Sequence, residues 1–154
     1  MKPRAEYIQF LSAYGPRIVK LSLAVRKLVL EEALDATELL YDAYNAVAAG
    51  YSFTGRPSDA FIHIASYAGW VNLGFNHGAG LPDPGGFLKG TGRQVRHIRI
   101  SEPADLENPA VRRFVKAAIA RAVRPEGGVK PQSVVRAIYP KRRRPIGPQQ
   151  RSNQ

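Results

Sequence analysis

The stretch AFIHIASYAGWVNLGFN, residues 60–76, decides the fold of this chain. It contains two runs rich in apolar, aromatic and β-branched residues, 60–66 and 70–76, separated by only three residues. This pattern predicts two antiparallel strands joined as a hairpin. Because side chains alternate along a strand, Val71, Leu73 and Phe75 should face the core, whereas Asn72 and Asn76 should face a wetter surface or a groove.

The hairpin is flanked by further strand-like segments. After it comes HGAGLPDPGGFLKGTG, residues 77–92, whose six glycines and two prolines predict an irregular loop, and then VRHIRI, residues 95–100, which predicts a third strand. Before it, TELLYDAYNAVAAGYSF, residues 37–53, fits either a continued helix or strands. Its tyrosines, valine and phenylalanine favour one or two strands.

Amphipathic helices are predicted at both ends of this strand-rich region. Residues 3–14 have helical spacing, Pro16 suits the first position of a second helix, and Asn108-Pro109 is a strong helix start. These patterns predict an α+β fold in which an antiparallel sheet is covered by N-terminal and C-terminal helices, within a domain of residues 1–124. Residues 125–154 are expected to form a basic, disordered tail, in which SVVRAIY, residues 133–139, could dock.

Composition restricts the kind of protein. The chain has a net charge of +11, of which residues 125–154 carry +6, so the tail should attract polyanions. It has no cysteine, which excludes disulfides and thiolate metal sites. No segment has the roughly 18 consecutive apolar residues of a membrane span, and the N-terminus has no apolar signal region. We therefore expect a soluble cytoplasmic protein.

Several segments together resemble the YdhG-like domain family, a bacterial domain of unknown function. They are TELLYDAYNAV, GYSFTGRPSDAFIHIA, WVNLGFNHGAGLPDPGGFLKGTGRQVRHIRI and NPAVRRFVKAAI, from about the second helix to residue 123. The resemblance implies an α+β fold similar to that of frataxin, and a bacterial member of the family has been proposed as an iron chaperone. Iron binding of that kind would use the acidic residues Glu31, Asp35 and Glu38, although lysines and arginines on the same helix depart from an acidic surface.

The residues themselves favour an anion-binding groove beside the glycine-rich loop. Gly90-Thr91-Gly92-Arg93 offers free backbone N–H groups, and arginines follow on the next strand. Turn glycines that simply lead into a basic strand are the alternative interpretation. The candidate ligand-binding residues are Asn72, Asn76, His77, Asp83, Arg93 and Arg99. We expect a non-catalytic module that binds a small molecule or a partner protein, since no catalytic motif is present and enzymatic activity is unsupported.

Two other functions remain open. His63, His77 and His97, with Asp83, could form a two- or three-histidine metal site, although scattered structural histidines are the simpler interpretation. The second open function is weak, non-specific nucleic acid binding. The tail contains a basic run that could contact nucleic acid, made of Lys141, Arg142, Arg143 and Arg144. Contacts of this type would be made to phosphates and would weaken steeply with salt.

Overall fold

The computed structural model describes residues 1–140. In chain order its elements are α1 Ala5–Ser12, α2 Pro16–Glu32, β1 Thr37–Asp42, β2 Val47–Ser52, β3 Ile62–Ser66, β4 Val71–Phe75, β5 Arg96–Ile100, α3 Pro109–Ala120 and β6 Ser133–Ile138. The strands form one sheet in the order β5-β4-β3-β2-β1-β6. The α+β class and the predicted hairpin are confirmed.

The helices begin where local chemistry favours a start. Gly15 precedes α2 with a φ of 91°, a conformation that glycine adopts without steric cost, and Pro16 takes the first helical position. Asn108 precedes α3, and its side-chain oxygen accepts a hydrogen bond from the backbone N–H of Ala110 at 3.0 Å. This bond satisfies one of the N–H groups that the first helical turn leaves unpaired.

One face of the sheet carries the core. Val71, Leu73 and Phe75 are fully buried, as their alternation predicted. The ring of Phe75 contacts that of Phe114 on α3 at 6.0 Å between centroids, and the hydroxyls of Ser22 on α2 and Ser66 on β3 lie 2.7 Å apart. Helices from both ends of the chain therefore cover the same face. The opposite face, here called the outer face, carries the side chains of the alternate strand positions.

The last strand corrects the sequence prediction in two ways. Residues 125–154 were predicted to be a disordered tail, but Ser133–Ile138 forms β6 and pairs with β1. The pairing is parallel, so the sheet is mixed and the prediction of an antiparallel sheet was wrong for this edge. The physical reason is that β1 would otherwise present an unpaired row of backbone groups. The backbone N–H of Glu38 instead bonds to the carbonyl of Gln132 at 2.8 Å.

Candidate functional site

The outer face near β5 has two rows of side chains that run across the strands. In the first row, Gly50, His63, Gly74 and His97 lie side by side; in the second, Ala48, Ala65, Asn72 and Arg99 do. Each row combines small residues with larger polar ones. The larger side chains are those of His63 on β3, Asn72 on β4, and His97 and Arg99 on β5. Within the six described strands the only carboxylates are Glu38 and Asp42, which are buried with the core-facing positions. None of the outer-facing strand positions among residues 1–140 therefore carries a carboxylate that would repel an anion.

Arg99 is fixed by an aromatic stack. Its guanidinium carbon lies 4.1 Å from the centroid of the Trp70 ring, and Tyr67 stacks on Trp70 at 5.1 Å. Tyr67 follows β3 and Arg99 belongs to β5, so the two approach Trp70 from opposite sides of β4. Guanidinium groups bind to indole rings by cation–π attraction, which is strongest for Trp. The stack therefore favours one placement of a normally flexible side chain.

The donors of this fixed guanidinium are free. Within residues 1–140 the Arg99 side chain forms no hydrogen bond and no ion pair. Most other arginines of the described chain are engaged: Arg4, Arg26, Arg56, Arg112 and Arg124 with carboxylates, and Arg17, Arg96 and Arg121 with backbone carbonyls. Arg99 is thus held in position by its ring contact and keeps its hydrogen-bonding capacity for another molecule.

Two polar atoms beside Arg99 also have no partner. The indole N–H of Trp70 and the side-chain oxygen of Asn72 are both buried, and neither forms a hydrogen bond within the described chain. Asn72 is the register partner of Arg99 on the neighbouring strand. Buried polar atoms without a partner are uncommon in folded proteins and are costly, by about 1–3 kcal/mol each. Within residues 1–140, these two atoms therefore lie beside the Arg99 guanidinium with their hydrogen-bonding capacity unused.

His63 and His97 border the same site. The ring of His63 lies over Gly74, and its Nδ1 is 2.9 Å from the Oδ1 of Asn76. Burial lowers the pKa of His63, and the hydrogen bond to Asn76 opposes that shift only in part. Burial also lowers the pKa of His97, and the neighbouring charges of Arg99 and His63 lower it further. Both effects favour neutral imidazoles.

The predicted ligand-binding residues do not all meet. Asn72 and Arg99 are neighbours, and Asn76 joins them indirectly through its bond to His63. His77 lies beyond the end of β4, and Arg93 is exposed in the glycine-rich loop. The strand register therefore groups part of the predicted set around Arg99, and residues that follow the strands lie outside that group.

The carboxylate of Asp83 is engaged by the backbone of the glycine-rich loop. Its carboxylate accepts hydrogen bonds from the backbone N–H groups of Phe87 and Leu88, both at 2.9 Å. These bonds, that of Leu88 first, lower the pKa of the Asp83 carboxyl. Asp83 therefore shapes the glycine-rich loop. The same loop packs Leu81 and Leu88 against the core, and its Lys89 pairs with the backbone of His97 along the edge of β5.

The acidic residues proposed as metal ligands are dispersed into separate ion pairs. Glu31 binds Arg112 at 2.8 Å, Asp35 binds Arg124, and Glu38 binds Arg26 at 2.7 Å in the core. Among residues 1–140 no group of three or more carboxylates or histidines is arranged to hold a metal ion. The basic run Lys141, Arg142, Arg143 and Arg144 lies outside the described residues. Within the described part, no helix has the length and apolar character needed to span a bilayer.

The sequence pointed to the face of this site but missed its main contacts. Alternation along residues 70–76 indicated that Asn72 faces away from the core, and the register then places Arg99 beside it. The contacts of Trp70 with Arg99 and Tyr67 were not predicted. No family model matches this chain, and neither a curated protein nor a solved structure was found to match it.

Proposed function

We propose that this protein is a non-catalytic binding module that holds a small anion, a phosphate or a carboxylate, on the outer face at Arg99. The observation that carries the proposal is that the Arg99 guanidinium lies over Trp70 at 4.1 Å and forms no hydrogen bond or ion pair within residues 1–140. A planar guanidinium matches the geometry of carboxylate and phosphate groups, which accept two parallel hydrogen bonds from it. The ligand class follows from that match.

Prior ordering of Arg99 strengthens such binding. An arginine loses roughly 2 kcal/mol of side-chain conformational entropy when it is immobilised, and this loss normally weakens its contacts. The Trp70 stack has already imposed much of that ordering before a ligand arrives. An anion bound here therefore gains more of the intrinsic strength of the charge-assisted hydrogen bonds than it would at a mobile surface arginine.

The surroundings supply charge and further polar contacts. No carboxylate lies among the outer-facing strand positions of the described sheet, and the chain as a whole carries a charge of +11. A positive field of this kind draws anions toward the surface. Beside the guanidinium, the Trp70 N–H can donate to a ligand and the Asn72 oxygen can accept from a ligand hydroxyl, once the ligand has displaced the groups that cover them.

Fluorescence provides the test, because Trp70 is the only tryptophan of the chain. Sodium phosphate and sodium acetate should each change the Trp70 emission in a saturable manner at constant ionic strength. Arg99→Ala should weaken the binding by about tenfold or more, the value of a lost charge-assisted pair of hydrogen bonds. Arg113→Ala is the matched control, since Arg113 also contacts an aromatic ring, that of Phe114, but on α3. Equal loss of affinity in both variants, or an unchanged affinity in Arg99→Ala, would contradict the proposal.

We also propose that the fold is YdhG-like and similar to that of frataxin, and that the protein is cytoplasmic. Support comes from the quoted segments and from helices of both chain ends on one face of the sheet. Iron binding at Glu31, Asp35 and Glu38 is the second candidate that this resemblance implies. It ranks below anion binding because each of these carboxylates already holds an arginine. Nucleic acid binding through residues 141–154 is a third proposal.

A further inference from the structure

Two histidines of the outer face lie on either side of Gly74. His63 and His97 both pair with Gly74, on β3 and β5 respectively, so their Cα atoms are about 10 Å apart. The His63 ring leans into this gap: its Nε2 and Cε1 atoms lie 2.0 and 2.2 Å from the point where a side chain at position 74 would begin. The tip of the His63 ring therefore lies over Gly74, which separates the two histidines in the sheet.

The hydrogen bond to Asn76 determines which nitrogen of His63 is available. The Nδ1–H of His63 donates to the Oδ1 of Asn76 at 2.9 Å, so the proton of the neutral ring resides on Nδ1. Nε2 then carries a free lone pair and has no hydrogen-bond partner within the described chain. Histidines that bind metals typically have this second contact, which fixes both the ring orientation and the tautomer.

We propose that His63 Nε2 and an imidazole nitrogen of His97 bind a divalent metal ion of the borderline class, such as Ni²⁺, Zn²⁺ or Cu²⁺, with water in its remaining positions. Imidazole nitrogen is a preferred ligand of these ions, whereas Mg²⁺ and Ca²⁺ require oxygen ligands that this position does not offer. The inference goes beyond the anion site and does not depend on it.

Other groups near the pair fit this assignment. Gly74 is the floor of the site, and a larger residue there would occupy the space that the His63 ring now fills. Arg99 lies two residues from His97, and its charge opposes a cation. Only an ion that forms strong bonds to imidazole nitrogen can offset this repulsion. The site should therefore bind Ni²⁺, Zn²⁺ or Cu²⁺ in preference to Mg²⁺ or Ca²⁺.

Calorimetric titration of the untagged chain with NiCl₂ tests the proposal, with quenching of Trp70 fluorescence as a second readout. One equivalent of Ni²⁺ should bind. His63→Ala and His97→Ala should each weaken binding by more than tenfold. Asn76→Ala should weaken it by about tenfold, because the ring loses its orienting contact. His77→Ala is the matched control and should bind Ni²⁺ as the native chain does, since His77 lies outside the pair. Circular dichroism establishes that each variant is folded.

Arg99→Ala separates the metal site from the anion site. Removing a positive charge about 7 Å away should strengthen Ni²⁺ binding by about threefold in 0.15 M salt. The same variant should weaken anion binding, so failure of one site does not imply failure of the other. The metal proposal is overturned if the native chain binds no Ni²⁺, if the double variant His63→Ala/His97→Ala retains its affinity, or if His77→Ala loses as much affinity as His97→Ala.

Discussion

Arg26 and Glu38 form a buried ion pair that joins α2 to β1. Nε of Arg26 lies 2.7 Å from the Oε2 of Glu38, and the two side chains are 5% and 0% exposed. The hydroxyls of Tyr51 and Ser133 donate to the same carboxylate, at 2.7 and 2.8 Å. One carboxylate on β1 therefore connects a helix and both neighbouring strands, and its desolvation is balanced by these hydrogen bonds.

Removing one member of this pair should be strongly destabilising. Glu38→Ala leaves a buried guanidinium without its partner, and we expect the free energy of unfolding to fall by about 3–5 kcal/mol, as measured by urea denaturation. Glu6→Ala is the control, because Glu6 pairs with Arg4 on the surface and its loss should leave stability unchanged. Equal stability of Glu38→Ala and the native chain would show that the pair does not support the fold.

The C-terminal strand should contribute to stability although the sequence suggests a tail. Deleting residues 129–154 removes β6 and exposes β1 as a sheet edge, and we expect the free energy of unfolding to fall by about 2 kcal/mol, since half-buried side chains such as Val135 lose their contacts with the core. Deleting only residues 141–154 leaves β6 intact. If the shorter deletion destabilises the protein as much as the longer one, β6 does not account for the effect.

The shorter deletion also tests the nucleic acid proposal. Binding of single-stranded DNA, if it depends on Lys141, Arg142, Arg143 and Arg144, should disappear when residues 141–154 are removed. In the full chain it should weaken steeply between 50 and 200 mM salt, because phosphate contacts release counterions. Salt-sensitive binding that persists after the deletion would assign the contact to residues 1–140.

Gly74 should not tolerate a side chain. A Cβ at this position would lie 2.0 Å from the Nε2 of His63, so Gly74→Ala must displace the His63 ring and break its bond to Asn76. We expect a loss of about 1–3 kcal/mol in unfolding free energy and a change in the nitrogen chemical shifts of His63. Gly80→Ala is the control, because a Cβ there meets no atom within 4 Å. An unshifted His63 in Gly74→Ala would contradict the described ring position.

The order of the glycine-rich loop should depend on the charge of Asp83. Its folded-state pKa is lowered by hydrogen bonds from Leu88 and Phe87, so the stabilisation is present above the unfolded value near 4 and is lost as pH falls through the lowered pKa. Asp83→Ala should accelerate amide hydrogen exchange at Phe87 and Leu88 and leave Leu73 in β4 unaffected. Unchanged exchange at Phe87 and Leu88 would mean that the carboxylate does not order the loop.

Local patterns predicted the three helices and the strands β3, β4 and β5. They favoured one or two strands for residues 37–53, where β1 and β2 lie, and they did not predict β6. Alternation in β4 is visible in the chain because one face is buried, so the periodicity of the residues was enough to assign Val71, Leu73 and Phe75 to the core. The pairing of β6 with β1 joins segments about 95 residues apart in parallel. The sequence of a short, half-buried strand contains no local pattern that indicates such a distant partner.

Only part of the candidate site could be predicted from the sequence, because some of its contacts follow from strand alternation and others have no local sequence pattern. Asn72 and Arg99 become neighbours through strand register, which alternation helps to predict. The stack of Trp70 between Tyr67 and Arg99 depends on ring orientations at a turn, and no sequence pattern specifies them. Asp83 shows the opposite problem: a carboxylate in a Gly/Pro loop can bind a ligand or hold the loop, and only the contacts with Phe87 and Leu88 distinguish the two roles.

The most direct test of the anion site is nuclear magnetic resonance of the arginine Nε–Hε groups during a titration with sodium phosphate, with Arg99→Ala used to assign the resonance. We predict that the Arg99 signal shifts in a saturable manner, while the signals of Arg26 and Arg112, which are already paired with carboxylates, stay in place. A stationary Arg99 signal, whether or not another arginine responds, would contradict the proposed function.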